Sequence, residues 1–81
     1  MNSAGSQGLF TDLVATRLKK MLGEEKGTEV LTELFLKLGK NNVETPDELK
    51  RVADELIARG GLTKMIGHSL MTEALLRGAR P

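Results

Sequence analysis

Apolar residues in this chain recur three and four positions apart almost from end to end, the spacing that lines one face of an α-helix. Leu9, Phe10, Leu13, Val14, Leu18, Met21 and Leu22 make the first stripe and predict a helix over residues 9–22. The polar run Gly23-Glu24-Glu25-Lys26-Gly27 reads as a connection. Thr28 or a neighbour then opens a second helix carrying Val30, Leu31, Leu34, Phe35 and Leu38. Gly39 stops it, and Lys40-Asn41-Asn42 makes the turn.

The third helix is written out in full. Thr45 can accept a hydrogen bond from the Glu48 amide while Glu48 reaches back to the Thr45 amide, and Pro46 occupies the first helical position, where no amide hydrogen is needed. Leu49, Val52, Ala53, Leu56 and Ile57 supply its apolar face, and Gly60-Gly61 closes it.

The fourth segment is less regular. Leu62, Met65 and Ile66 fit one face, Leu70, Met71, Ala74 and Leu75 another, and the stripe slips at Gly67. A break near Gly67-His68 with a restart capped by Ser69 restores two clean faces and is the preferred reading. The alternative is one unbroken helix buried on several sides, with Gly67 permitting a close crossing. Nothing alternates with period two over more than a few residues, so no strand is expected, and no internal repeat is visible.

These patterns predict an all-α fold, a compact four-helix domain over residues 9–78 with short antiparallel connections. A disordered segment, 1–8, precedes it and a tail, 79–81, follows. The expected core is Leu13, Val14, Leu18, Leu31, Leu34, Phe35, Leu38, Leu49, Val52, Leu56, Ile57, Ile66, Leu70 and Leu75. Leu36 falls outside the apolar face of its helix, and Leu76 outside that of the last one. Two such leucines in so small a chain point to a second buried surface.

Eighty-one residues suffice for one small domain with a modest core, and only Phe10 and Phe35 are aromatic. The chain has no cysteine, which excludes disulfides, thiolate nucleophiles and zinc sites of the cysteine type. Its start is small and polar, unlike a signal peptide or a membrane span, so cytoplasmic residence and no membrane partner are expected. The net charge of +1 conceals a basic first helix, an acidic middle and a basic last segment, a distribution that can pair segments or subunits.

Chemistry is sparse. His68 is the only histidine. A base beside a serine on one helix is not a triad, since nothing orients it, and no acidic partner is identifiable. Gly67-His68-Ser69-Leu70 resembles the attachment site of peptidyl carrier proteins, in which a serine at a helix start bears a phosphopantetheine arm. The resemblance covers four residues. That family places two further helices after the serine, whereas twelve residues remain here. Of the paired carboxylates Glu24-Glu25, Asp47-Glu48 and Asp54-Glu55, the second is explained by the helix start and the third by a solvated face, and none implies general acid-base work. No phosphate-binding glycine loop, calcium loop or paired-histidine helix is present. No enzymatic activity, cofactor or metal is therefore expected.

The pattern instead suggests a non-enzymatic helical interaction or oligomerisation module, a homodimer or an accessory subunit of another protein. Phe35, Leu36, Met71 and Leu76 are the candidate anchors. The alternative is a small helix-turn-helix DNA-binding regulator, from the helix, Gly60-Gly61, helix arrangement before a basic segment, with Lys64, Arg77 and Arg80 on phosphates.

Overall fold

Each apolar stripe folds into one helix in the computed structural model, which describes residues 10–80. The helices are α1 (Thr11–Leu22), α2 (Glu24–Leu38), α3 (Pro46–Arg59) and α4 (Gly61–Leu76), and the described residues contain no strand. The all-α, four-helix expectation holds. The disordered start expected at 1–8 lies outside the described residues.

The helices are arranged as two hairpins, each turned on one residue. Gly23 alone separates α1 from α2, and Gly60 alone separates α3 from α4. Both have positive φ, +93° and +77°, a backbone that side-chain-bearing residues rarely adopt. Each hairpin is then closed by a second glycine inside a helix. A Cβ on Gly27 would stand 2.7 Å from the Lys19 Cα, and one on Gly67 would stand 2.8 Å from the Ala53 carbonyl oxygen and from the Ile57 amide nitrogen. Backbone lies on backbone at both crossings.

These contacts correct two expectations. The polar run after Gly23 is not a connection, because α2 begins at Glu24 and Gly27 lies in its first two turns, where its lack of a side chain admits the backbone of α1. The last segment is not split at Gly67. α4 runs unbroken from Gly61 to Leu76, and Ser69 sits in its middle rather than capping a new start. The stripe slips at Gly67 because the helix is apolar on two sides.

α3 forms as its sequence prescribes. The Glu48 amide donates to Thr45 Oγ1 at 3.1 Å, and the Thr45 amide donates back to Glu48 Oε1 at 3.3 Å. The Glu44 amide adds a bond to the same oxygen at 2.8 Å, and the Lys40 ammonium pairs with Oε2. The Lys40 hydrogen bond, followed by the Glu44 amide, holds the Glu48 carboxyl below its ordinary pKa of 4.5.

α1 packs on α2 and α4, and α3 packs on α4 and α2, so α2 and α4 occupy one diagonal. The centre is filled by Val14, Leu18, Leu34, Leu49, Val52, Leu56, Ile66 and Leu70, all expected, together with Val30, Ala53 and Ala74. Leu13, Leu31, Phe35 and Leu38 pack partly against it and Ile57 is half-buried. Leu75, expected inside, is 44 % exposed because the inward face of α4 is set by Ile66, Gly67, Leu70 and Ala74.

One end of the domain is closed by residues from three segments. The Phe10 amide donates to the Val43 carbonyl at 2.8 Å, and the Val43 amide donates to Thr11 Oγ1 at 2.8 Å, which ties the α2–α3 loop to the start of α1. Both apolar side chains are buried. Arg77 stands over the Phe10 ring, 5.5 Å from its centre. Ala79 is buried too, held by its amide on the Ala74 carbonyl at 2.9 Å, and the Arg80 amide bonds Asp47 at 3.0 Å. The chain beyond 78 thus packs on the domain at least as far as Arg80.

Two outcomes follow from these contacts. Gly67→Ala gains up to about 1 kcal/mol of helix propensity but places a methyl group against backbone that cannot yield, so it should destabilise by about 1–3 kcal/mol net in urea unfolding, where an exposed mid-helix glycine would give a gain. Glu48→Gln should cost about 0.5–1 kcal/mol at pH 7. Because the folded carboxyl binds its proton less readily than the unfolded one, that contribution is complete above the unfolded pKa and is lost as pH falls through the folded value. Unfolding of both proteins at pH 7 and pH 3 should show the difference closing in acid, and a gap that persists would assign it to something other than the charge.

Candidate functional site

α4 leaves more large apolar side chains exposed than any other described helix. Ile66, Leu70 and Ala74 point into the core, whereas Leu62 is 53 % exposed, Met65 61 % and Leu76 80 %. Leu62, Met65, Ser69, Thr72 and Leu76 follow one another at spacings of three, four, three and four, and all five are exposed. That is the a and d spacing of a helix–helix seam. Large apolar side chains grouped on the outer face of a helix are a candidate contact surface.

The middle of the seam is polar and small. Thr72 Oγ1 donates to the His68 carbonyl at 3.2 Å, and Ser69 Oγ accepts from the Arg17 guanidinium of α1. The seam's own residues are uncharged, and the Arg17 guanidinium is the one charge resting on it. Lys64 and Glu73 flank it, the latter paired with Arg77 at 2.9 Å.

α1 widens this surface. Its residue Arg17 meets Ser69 and the preceding Phe10 meets Arg77, so α1 runs antiparallel to α4 in a fixed register. Met21, one turn after Arg17, falls level with Met65, one turn before Ser69, and is 46 % exposed. Two methionines and two leucines thus lie along the groove between α1 and α4. Methionine suits such a surface, since its flexible thioether adapts to varied partners.

A second, smaller surface lies on α2. Thr32, Phe35, Leu36, Gly39, Lys40 and Asn41 line a shallow open groove of about 500 Å³. Leu36 is 78 % exposed beside it, while Phe35 is partly packed on the core. The rim cation Lys40 is already bonded to Glu48.

The four anchor candidates therefore divide. Phe35 and Leu36 share the α2 groove, and Leu76 ends the α4 seam on the other side of the diagonal. Met71 leans inward, partly buried against the core. The basic residues of the nucleic-acid reading are dispersed as well: Lys64 and Arg77 sit at opposite ends of α4, about 20 Å apart by helical rise. Arg77 is engaged by Glu73 and Phe10, and Arg80 is tied by its backbone amide to Asp47, with its side chain exposed. The single-residue corner at Gly60 is shorter than the three or four residues of a helix-turn-helix.

The remaining chemistry is accounted for within the chain. His68 is exposed on α4, and Ser69 lies in mid-helix, where no free amides would receive an attached phosphate. Among the described residues no group of three or more His, Asp or Glu side chains could hold a metal ion, and no helix is long and apolar enough to cross a membrane. The shifted carboxyl, Glu48, serves a helix cap.

No family model, curated protein or solved structure matches the chain.

Sequence reasoning found Leu76 but missed Leu62, Met65 and Met21 as members of one surface. The signal was present in the three-four repeat from Leu62 to Leu76. A break at Gly67 cuts that repeat in half and hides it. Because these side chains are solvated, Met65→Glu and Leu76→Glu should change the unfolding free energy of the dilute, monomeric chain by no more than about 0.5 kcal/mol, measured by circular dichroism in urea.

Proposed function

We propose that this protein is a non-enzymatic helical association module of the cytoplasm, which docks on a protein surface, its own copy included, through the outward face of α4. The observation that supports the reading is a helix apolar on two sides with only one side covered. Leu62, Met65, Leu75, Leu76 and Met21 are each between 44 % and 80 % exposed. Covering what remains of each is worth about 1–2 kcal/mol, hence on the order of 5–10 kcal/mol from one partner and up to twice that if the other surface contributes equally. Association costs about 4–15 kcal/mol. The balance corresponds to reversible, roughly micromolar binding rather than an obligate assembly.

Burial of apolar side chains as the main driving force also sets how association depends on salt. Screening weakens pairs of exposed charges and leaves apolar burial almost untouched. Sedimentation equilibrium over a concentration series should show a mass rising above the 8.8 kDa of the chain, equally in low and moderate salt. The helix-turn-helix alternative requires retention of duplex DNA that falls steeply with salt. A chain that stays monomeric throughout and binds duplex at low ionic strength would replace the association reading with that one.

A further inference from the structure

We infer that the occupant of the α4 seam is a second copy of this chain, set antiparallel across a two-fold axis that passes beside Leu70 and Met71. The inference rests on the association reading and names its partner. In this arrangement Met65 packs on the partner's Leu76, and Ser69 lies opposite the partner's Thr72, each pair occurring twice. The layers follow from the three-four spacing, because antiparallel seams set a positions of one helix against d positions of the other.

Three observations select this occupant. The seam's own residues are uncharged, so they ask for an equally uncharged stripe, and α4 itself presents one of the same length; the one cation upon it is the Arg17 guanidinium bonded to Ser69. Its large residues stand toward the ends and its small hydroxyl residues in the middle, so an antiparallel copy sets large against large and hydroxyl against hydroxyl, which can bond each other. A parallel copy would instead gather Arg77 and Arg80 of both chains at one end. Antiparallel pairing keeps these like charges about a helix length apart and aligns the helix dipoles favourably.

The extent fits as well. Met21, level with Met65, joins the contact from α1. Eight large apolar side chains, Leu62, Met65, Leu76 and Met21 from each copy, are the content of a small interface, on the order of 1,000 Å² in total, the least that a specific contact buries. Being two-fold, the contact closes on itself and leads to a dimer rather than a filament.

The absence of cysteine makes the register directly testable with single-cysteine variants. A mixture of Ser69→Cys and Thr72→Cys chains under mild oxidation should give the mixed disulfide in preference to either symmetric one. Leu62→Cys alone should give none, because its two copies lie about 25 Å apart, far beyond disulfide reach. Ready cross-linking of Leu62→Cys with itself would overturn the antiparallel arrangement. In parallel, Met65→Glu should raise the dimer dissociation constant roughly tenfold or more, with its monomer fold checked by circular dichroism, while Leu36→Glu leaves it unchanged. If Leu36→Glu dissociates the chain and Met65→Glu does not, association stands and the α4 seam fails as its site. If the unaltered chain stays at 8.8 kDa up to about millimolar concentration, self-association through any surface is excluded.

Discussion

The closest backbone approach between α3 and α4, at Gly67, governs both faces of the last helix. With the Ala53 carbonyl and the Ile57 amide 2.8 Å from where a Cβ would stand, α4 can meet α3 only with this residue turned toward it. The rotation of α4 is thereby set. Ile66, Leu70 and Ala74 are carried into the core, and Leu62, Met65 and Leu76 are carried out of it. The crossing also lies seven residues from Gly60 along each helix, so the one-residue corner and the close contact define the hairpin between them. α3 and α4 make the most extensive helix pair of the fold as a result.

The two hairpins hold each other much less broadly than they hold themselves. Between α2 and α3 the contact is narrow, and ion pairs from Lys37 to Glu55 at 3.2 Å and from Arg59 to Glu33 at 2.9 Å run along its solvent side. Exposed pairs of this kind contribute little each. The more substantial join is at the end of the domain, where Phe10, Val43 and Ala79 are buried together and the Phe10 and Val43 amides are both bonded. A loop residue and two residues flanking the helices thus do work that the helix stripes alone do not.

That division explains what was legible in the sequence. α3 was readable residue by residue, because caps and amphipathic spacing are local, and its Thr45–Glu48 box formed as written. The interior glycines were misread for one common reason. Gly27 and Gly67 look like helix breakers along the chain, yet each is required by a neighbour that sequence does not display, the backbone of Lys19 in one case and of Ala53 and Ile57 in the other. Val43 and Ala79 have no periodic context, and Ala53 and Ala74, although on apolar faces by spacing, are too small to be named as core by pattern alone. Their burial is a property of how closely the helices approach.

The same limits apply to the candidate site, and they expose a coupling within α4. The outward seam has no independent anchor: its direction is whatever the inward packing at Gly67 leaves over. A larger residue there would have to turn or lift the helix, which would move Leu62, Met65 and Leu76 together while disturbing Ile66 and Leu70. Stability and the proposed association therefore draw on one backbone contact. The polar centre at Ser69 and Thr72 limits the cost of leaving the seam uncovered, since those hydroxyls are satisfied in the monomer by Arg17 and by the His68 carbonyl. A seam of five leucines would bind more tightly but would also attract any apolar surface. In the proposed pairing the hydroxyl pair trades affinity for a monomer whose polar groups are satisfied alone and for a register that a matching helix meets best.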